Sequence, residues 1–474
     1  MSAETPNRAA EPAEAPALQN PSVFPHGTHK GLVTLLIAAI VAWGAYELLP
    51  YSDNANKGLA ILLFVAILWF TEALHITVTA LIVPVLAALS GIPKMGTKEA
   101  LAGFADPIIY IFFGGFALAT ALHIQKLDRK IALKLISISG GNLRTSVLAL
   151  FGVTAFLSMW ISNTATAAMM LPLVMGMLSA VDQEKDRKTF VFVLLGVAYS
   201  ASIGGLGTLV GSPPNAIAAK ALGLDFHGWM PFALPMMIGL MPLVLFAMYV
   251  VLRPNLNQKV TLSEQEDIPW TMPRVLTLIV FIVTATAWIL GEQLKTRLGI
   301  TNPDTVVALT AAIAVVALGL VTWKNVADNT DWGVLLLFGG GIALSALLQN
   351  SGASQALGEA LAAQFAQTHP VILILAVAAF IIFLTEFTSN TASAALLVPI
   401  FASIATQMNM PPQVLVLVIG IGASCAFMLP VATPPNAIVF GTGLIRQREM
   451  MRVGVLLNIL SIILVTLWSY FFLM

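Results

Sequence analysis

The sequence predicts an all-α polytopic membrane protein with 11 transmembrane helices and two re-entrant hairpins in an inverted-topology repeat. Three observations lead to this fold class: a scarcity of charge, many apolar stretches of spanning length, and paired motifs in the two halves. Of the 474 residues, 58% are apolar and 10% are charged, whereas soluble domains are about 25% charged. A soluble enzyme, a nucleic-acid-binding protein and a disordered scaffold are therefore disfavoured.

The remaining composition narrows the class further. Lys plus Arg and Asp plus Glu both number 23, so net charge does not predict a nucleic-acid partner. Cys425 is the only cysteine, which excludes an intramolecular disulfide and a cysteine-based metal cluster. Residues 1–30 are rich in Ala, Pro and Glu and lack the pattern of a cleavable signal peptide. They predict a disordered cytoplasmic tail.

Apolar stretches of spanning length follow this tail. A spanning helix needs about 20 mostly apolar residues. The predicted spans are 31–50, 57–74, 76–92, 107–124, 190–222, 229–252, 274–292, 304–322, 332–349, 413–444 and 453–474. Two further stretches, about 145–181 and 370–408, are too long for one span and have a polar break in the middle. They predict hairpins that enter and leave the membrane on one side.

Charge placement orients these segments, because cytoplasmic loops carry the excess of Lys and Arg. With the N-terminus inside, 17 basic residues fall in inner segments, 5 fall in outer loops, and Lys220 lies within a span. The C-terminus is then outside the cell. If each long stretch crossed the membrane once, the basic loops on either side of 145–181 would lie on opposite faces. The hairpin interpretation keeps both loops inside.

Three motifs recur in the same order in both halves. They are Phe113-Gly114-Gly115 with Phe338-Gly339-Gly340, Ser162-Asn163-Thr164 with Ser389-Asn390-Thr391, and Pro213-Pro214-Asn215 with Pro434-Pro435-Asn436. In the predicted topology the span at 107–124 runs inward and its mate at 332–349 runs outward, so the repeat is inverted. Many secondary transporters are built in this way, with matching helix breaks around a site near the bilayer midplane.

The breaks carry the residues suited to ion chemistry. Irregular backbone at membrane depth is tolerated only where protein or a water-filled cavity satisfies it, and paired prolines predict an unwound segment. Carbonyls and hydroxyls suit a hard cation, whereas helix N-termini and amides suit a carboxylate. Ser158 and Ser162, like Thr385 and Ser389, are four positions apart, which predicts that their hydroxyls stack on one helix face.

Other polar residues have plainer interpretations. Glu72 and Glu386 are intramembrane acids and hence functional candidates, but we favour a structural hydrogen-bonding role for both. The paired glycines are expected to allow close helix packing, since no phosphate-binding motif surrounds them. An intramembrane enzyme would need a catalytic constellation, and Asp106 has no evident partner acid. A channel would show conductance far above transporter rates.

The paired triplets and inverted halves resemble the divalent anion/sodium symporter family, and especially its bacterial INDY-type dicarboxylate transporters. The resemblance covers residues 31–474. It implies a homodimer in the inner (plasma) membrane, in which a transport domain moves like an elevator against a scaffold domain. Scaffold helices would come from 31–124 and 229–349, the transport domain from 125–228 and 350–452, and the last transmembrane helix from 453–474.

The resemblance also implies site residues. The two Na⁺ sites would comprise Ser158, Ser162, Asn163 and the carbonyl of Gly211, and Thr385, Ser389, Asn390 and the carbonyl of Ala432. The substrate would contact Ser162, Asn163, Thr164, Ser389, Asn390 and Thr391, with Ser212, Pro213, Thr433 and Pro434 lining the site.

Members of this family carry C4-dicarboxylates such as succinate, fumarate and malate, or citrate, or sulfate, and some exchange dicarboxylates without Na⁺. The intact hydroxyl and Asn clusters resemble those of the Na⁺-coupled members. No Arg or Lys lies near the predicted site; Lys220 is the nearest in sequence and is expected at the membrane interface. Cotransported Na⁺ and helix termini would therefore supply the positive potential, because desolvating an anion without them is costly. A sodium-independent exchanger and a Na⁺-coupled citrate or sulfate transporter remain alternatives.

Overall fold

A computed structural model describes residues 28–137, 142–179, 181–258, 268–365 and 367–474. These residues form 22 α-helices and no β-strand within the described segments. The predicted tail lies outside them except for its last three residues. Those three belong to the first helix, which begins at Thr28 rather than at residue 31.

The helices alternate between long apolar rods and short segments. The first half contains α1 (Thr28–Leu48), α2 (Asp53–Thr71), α3 (Ile76–Leu89), α4 (Thr97–Leu101), α5 (Pro107–Ile124), α6 (Leu127–Ser137), α7 (Leu143–Ser158), α8 (Asn163–Leu178), α9 (Arg187–Gly204), α10 (Pro213–Leu222) and α11 (Phe226–Leu252). The second contains α12 (Met272–Ile289), α13 (Gly291–Leu298), α14 (Pro303–Ala317), α15 (Trp323–Asn329), α16 (Trp332–Ser351), α17 (Ala353–Phe365), α18 (Pro370–Leu384), α19 (Asn390–Gln407), α20 (Pro412–Gly422), α21 (Pro434–Phe440) and α22 (Gln447–Phe472).

Seven helical stretches of the described chain are long and apolar enough to cross a bilayer. They are Gly31–Leu48, Asp53–Thr71, Thr97–Ile124, Phe226–Leu252, Met272–Ile289, Trp332–Ser351 and Gln447–Phe472, and each overlaps a predicted span. The predicted spans at 76–92 and 304–322 correspond to the shorter helices α3 and α14. The other two, 190–222 and 413–444, are each divided into two helices. The polytopic all-α class is confirmed, while the count of 11 spans stays a prediction.

Both long stretches are interrupted where the sequence predicts a hairpin tip. α7 ends at Ser158 and α8 begins at Asn163, while α18 ends at Leu384 and α19 begins at Asn390. α7 and α8 each have 16 residues, which is about 24 Å of helix against a hydrocarbon core of about 30 Å. Neither helix is therefore long enough to span the core alone.

The proline pairs have a different role from the predicted one. Pro213 and Pro434 begin α10 and α21 rather than unwinding a helix around themselves. Proline is compatible with the first helical position, because its N–H would lack an intrahelical partner there anyway. The irregular backbone instead precedes the prolines, between α9 and α10 and between α20 and α21.

Side-chain contacts establish the directions of the central helices. α5 and α16 pack in an antiparallel arrangement. The Phe112 ring lies 4.9 Å from that of Phe338, whereas the next residue of α5, Phe113, has its ring 6.0 Å from that of Trp332, nearer the start of α16. The hydroxyl of Thr77, in the first turn of α3, donates to the carbonyl of Gly333 over 3.3 Å. α3 thus begins beside the start of α16. α5 and α16, the predicted repeat mates, run in opposite directions.

The helices form two packing sets. In the first set, each helix packs against at least one other member; the members are α2, α3, α5, α12, α14 and α16. The second set joins α7–α11 with α18–α22, and within it α11 packs mainly against α9 and α22. α6 packs against both α5 and α7, and α17 against both α2 and α19. The sets also meet directly, where α16 and α2 contact α19 and where α11 contacts α12.

Gly340 permits the close approach of α16 to α3. A Cβ atom at this position would lie 2.6 Å from both the carbonyl oxygen and the Cβ of Ala80. We expect Gly340→Ala to lower the thermal unfolding temperature of the detergent-solubilised protein, because the two helices must separate. Gly152→Ala in α7 is the control, since its Cβ would enter open space and alanine favours helix. Equal melting temperatures for both variants would contradict this interpretation.

Candidate functional site

One cavity of about 510 Å³ brings the breaks of both halves together. Its lining includes every residue predicted to contact substrate: Ser162, Asn163, Thr164, Ser212, Pro213, Ser389, Asn390, Thr391, Thr433 and Pro434. Gly211 and Ala432, predicted to supply carbonyls, line it as well. Ser158 and Thr385 lie behind it and are fully buried. Residues that are far apart in the sequence thus meet at one place.

Two helix N-termini point into this cavity. Ser162 caps α8 by accepting a hydrogen bond from Ala165 N–H over 3.3 Å. Ser389 caps α19 by accepting one from Ala392 N–H over the same distance of 3.3 Å. The N–H groups of the first two residues in each helix have no intrahelical acceptor. Each terminus therefore offers free donors and the positive end of a helix dipole, a combination that favours anions.

The N-termini of α10 and α21 also reach the cavity but offer fewer donors. Their first two residues are prolines, which have no N–H. Thr433 caps α21 by accepting from Asn436 N–H over 3.3 Å. The Ser212 hydroxyl lies 3.5 Å from that of Ser424. These helices thus contribute dipoles and hydroxyls to the lining rather than a row of free N–H groups.

Sequence reasoning missed the roles of the two asparagines that follow the proline pairs. Asn215 Nδ2 donates to the carbonyls of Gly205 (2.7 Å) and Thr208 (2.8 Å). Asn436 Nδ2 donates to the carbonyl of Leu429 over 3.0 Å. Both side chains are fully buried and hold the irregular backbone that precedes their own helix. Their recurrence in both triplets is a signal that could have revealed this role.

Other lining residues were also not predicted. They are Ile76, Phe112, Ser202, Val210, Asp331, Val334, Phe387, Thr388, Ser424 and Val431, among others. These residues lie outside the motifs that recur in the two halves, so the sequence offered no reason to select them.

Four oxygen atoms converge at the first predicted cation site. The side-chain oxygen of Asn163 lies 2.7 Å from Ser158 Oγ, 3.1 Å from the Ala201 carbonyl and 3.3 Å from the Gly211 carbonyl. Ser158 Oγ is also 2.7 Å from the Ala201 carbonyl, and its single proton can serve only one of its two neighbours. Two arrangements satisfy these oxygen atoms. In one, the Asn163 amide is turned over and its nitrogen donates to them; in the other, they all coordinate one cation. With the Asn163 oxygen facing inward the donor set fits Na⁺, whereas with the amide turned over its nitrogen satisfies the same acceptors without a cation.

The second predicted cation site has a comparable unsatisfied atom. The side-chain oxygen of Asn390 is buried and has no hydrogen-bond partner. The single hydroxyl proton of Thr385 is within reach of the carbonyls of Ile381 (3.0 Å) and Ile382 (3.2 Å) in the preceding helix, which leaves the lone pairs on its oxygen. A cation would satisfy the Asn390 oxygen. Other buried asparagine side-chain oxygens also lack a donor, namely those of Asn56, Asn215, Asn436 and Asn458. The second site therefore rests on its position in the cavity lining rather than on this atom alone.

The predicted stacking of hydroxyls on one helix face is wrong. Ser158 is the last residue of α7, and Ser162 caps the next helix. Thr385 and Ser389 are likewise separated by a break. The serine cap starts a new helix, so the spacing of four does not describe a helical turn. Ser158 meets Asn163 because the chain reverses between them.

Glu386 has the structural role that the sequence predicts. It is fully buried, and its carboxylate accepts hydrogen bonds from the N–H groups of Phe427 (2.7 Å), Met428 (2.9 Å) and Leu429 (3.1 Å). Asn458 Nδ2 donates to it over 2.7 Å. Glu386 thereby holds the irregular segment between α20 and α21.

Glu72 does not share this role. It is exposed, ends α2 with φ +48° and lines the cavity. Its carboxylate has no hydrogen-bond partner among the residues that the structure describes.

Positive side chains are absent from the described lining of the cavity. Glu72 and Asp331 are its only charged lining residues, and both are exposed. Lys220, the nearest basic residue in sequence, pairs with Asp106 instead, at 2.5 Å. An anion in the cavity would depend on helix ends, hydroxyls, amides and accompanying cations.

Comparison with known proteins identifies the family. Residues 29–474 match the sequence family described as the sodium:sulfate symporter transmembrane region. The chain belongs to this family. The chain is 53% identical, over 94% of its length and 98% of the relative's, to an uncharacterized transporter of Haemophilus influenzae. It is 33% identical to the sodium-dependent dicarboxylate transporter SdcS of Staphylococcus saprophyticus, over 89% of this chain and 86% of that protein.

A solved structure supports the fold. The YdaH transporter of Alcanivorax borkumensis superimposes with a TM-score of 0.58 and 14% sequence identity, covering 94% of this chain and 99% of that one. Family membership and seven apolar helices establish a multi-pass membrane transporter.

Proposed function

We propose that this protein imports C4-dicarboxylates, such as succinate, fumarate and malate, by symport with Na⁺. The observation that supports this proposal most is the cavity between the two Ser-Asn-Thr triplets. It has two helix N-termini with free N–H donors and no basic side chain in its described lining. The group of polar atoms around Asn163 lies at the first N-terminus, and the unsatisfied side-chain oxygen of Asn390 lies at the second.

The duplication of the N-terminal sites favours a dicarboxylate. α8 and α19 each offer free N–H groups, a capping serine and an Asn-Thr pair. Two carboxylates joined by a short linker match two such sites, whereas sulfate presents one anionic centre. The similarity to SdcS, which is named for sodium-dependent dicarboxylate transport, supports the same substrate class.

Cation coupling follows from the electrostatics of the cavity. A dianion that loses its hydration needs compensating charge, and the described lining contributes only two exposed carboxylates. Ser158, Ser162, Asn163 and the Gly211 carbonyl would hold one Na⁺, and Thr385, Ser389, Asn390 and the Ala432 carbonyl a second. The Ala201 carbonyl joins the first set, because it lies 2.7 Å from Ser158 Oγ. Na⁺ bound there supplies positive potential beside the substrate carboxylates.

The two packing sets suggest the moving parts. In an elevator mechanism the second set, which carries both triplets, would move as the transport domain against the first set as scaffold. The packing of α11 against α9 and α22 leads us to assign α11 to the transport domain, although the sequence-based division places 229–349 in the scaffold. A homodimer, a cytoplasmic N-terminus, an external C-terminus and a plasma-membrane location complete the proposal.

Uptake of radiolabelled succinate into proteoliposomes tests the function. We expect accumulation with an inward Na⁺ gradient and little with an equal K⁺ gradient. Uptake that is indifferent to Na⁺, with rapid exchange in succinate-loaded vesicles, would instead identify an exchanger. Stronger competition by citrate or sulfate than by fumarate and malate would change the substrate class.

Ser158→Ala separates the cation role from the substrate role. Ser158 Oγ belongs to the oxygen cluster but lies outside the cavity lining. We expect the variant to raise the Na⁺ concentration needed for half-maximal uptake about tenfold, because losing roughly one charge-assisted contact weakens binding by about that factor. The succinate KM at saturating Na⁺ should change less than about twofold, within the same estimate. Parallel shifts in both parameters would contradict the assignment.

A further inference from the structure

An ion pair between Asp106 and Lys220 joins the two packing sets. Asp106 precedes α5 of the first set, and Lys220 lies in the last turn of α10 of the second. Lys220 Nζ is 2.5 Å from Asp106 Oδ2, and the two side chains are 44% and 12% exposed. The other carboxylate oxygen of Asp106 caps α5 by accepting from Ile108 N–H over 3.1 Å. Each oxygen of Asp106 therefore has a separate role.

The ion pair and the substrate cavity lie toward opposite ends of α16, along which the two packing sets meet. Asp331 and Val334, at the start of α16, line the substrate cavity. Lys220 instead lines a second cavity of about 290 Å³, together with Gly341, Ser345 and Gln349 toward the end of α16. In the predicted topology, the start of α16 is cytoplasmic. The exposed lining residues Glu72 and Asp331 lie at that end of the cavity, so the cavity is inferred to open toward the cytoplasm, whereas the ion pair lies toward the outer face.

The inverted repeat provides no counterpart for this ion pair. Asp331 caps α16 by accepting from Val334 N–H over 3.1 Å, just as Asp106 caps the mate helix α5. Lys220 comes five positions after Asn215, and the corresponding position after Asn436 is Gly441. Asp331 is exposed and forms no ion pair in the described part of the chain. The two halves are therefore electrostatically unequal at matched positions.

We propose that the Asp106–Lys220 ion pair is a latch that favours the conformation with the cavity open toward the start of α16. The pair joins the scaffold and transport domains, so movement of one against the other must break it. Because the mate position lacks a cation, the opposite conformation gains no equivalent attraction. This inference rests on the proposed function, since a latch requires that the two sets move during transport.

Two variants remove the attraction while sparing the local fold. Asp106→Asn loses the charge and retains an oxygen that can cap α5, and Lys220→Gln removes the partner. Asp53→Asn is the matched control, because Asp53 pairs with Lys57 of its own helix at 2.8 Å and accepts from the Tyr46 hydroxyl of α1, and neither partner belongs to the second packing set. All variants also carry Val431→Cys, since Val431 lines the substrate cavity and is 82% exposed. The native cysteine, Cys425, is fully buried.

The test measures how fast a membrane-impermeant maleimide labels the thiol introduced by Val431→Cys, in right-side-out and inside-out vesicles. On the side where the Val431→Cys protein is labelled slowly, we expect Asp106→Asn and Lys220→Gln each to raise the rate about fivefold, the equivalent of one partly exposed ion pair. The double variant should add little to either single variant, and Asp53→Asn should change nothing.

Two outcomes would overturn the latch, and they are distinguishable. In the first, Asp106→Asn and Lys220→Gln are labelled at the same rate as Asp53→Asn, while the protein without substitutions performs Na⁺-driven succinate uptake. This result would overturn the latch alone. Failure of the unmodified protein to take up succinate in any gradient would overturn the proposed function together with the latch.

Discussion

Asn163→Ala and Asn390→Ala are each expected to reduce Na⁺-driven succinate uptake by about 100-fold or more, the effect of losing a buried hydrogen-bonding group from both a cation site and a substrate site. Each asparagine lines the cavity, supplies an amide to an oxygen cluster or an unsatisfied oxygen, and begins a helix whose N-terminus faces the substrate. Initial rates in proteoliposomes, normalised to the amount of folded protein, provide the measurement.

Two further variants keep this prediction specific. Asn350→Ala removes an asparagine of α16 that lies outside the cavity lining and whose Nδ2 donates to Met95 Sδ, at 3.4 Å, and it should transport normally. Gly205→Ala leaves the chemistry of Asn163 intact but places a Cβ against its side-chain oxygen. We expect it to impair uptake nearly as much as Asn163→Ala. Near-normal uptake by Asn163→Ala or by Asn390→Ala would show that the Ser-Asn-Thr triplet containing that residue is not part of the transport site.

Glu386→Ala is expected to lower the free energy of unfolding by about 3 kcal/mol or more, because it leaves several buried donors without an acceptor. Three backbone N–H groups and the Asn458 amide point at this carboxylate. Glu386→Gln keeps one acceptor oxygen but turns an NH₂ group toward the same donors, so an intermediate loss is expected.

Thermal unfolding of detergent-solubilised variants measures this effect. Glu359→Ala, at an exposed position of α17, removes an acid of the same type without breaking a buried network and should retain the parental melting temperature. A Glu386→Ala protein as stable as Glu359→Ala would contradict the structural role of Glu386.

The cavity lining could be predicted from the sequence because polar residues are scarce in this chain. Ser-Asn-Thr triplets in the middle of long apolar stretches have few interpretations other than a break that faces a polar cavity. Recurrence in an inverted arrangement then places both triplets at one site. The helix breaks after Ser158 and Leu384 and the lining residues agree with that reasoning.

Other features of the site leave weaker traces in the sequence. The Ala201 carbonyl belongs to the first oxygen cluster, but a backbone carbonyl has no side-chain signature. The spacing of Ser158 and Ser162 matches a helical turn, and only the serine cap reveals that a new helix starts there. Asp106 and Lys220 are far apart in the chain, so their pairing depends on how α5 and α10 meet. Long-range packing of this kind is not encoded in local patterns.

Binding of succinate to the purified protein tests the central claim most directly, that one cavity holds a dicarboxylate together with Na⁺. Calorimetric titration in NaCl and in KCl of equal ionic strength separates the cation requirement from gradients and from vesicle quality. Saturable binding in NaCl, lost in KCl and weakened by Asn163→Ala, is the expected result. Equal succinate affinity in the two salts, or unchanged affinity in Asn163→Ala, would contradict the claim.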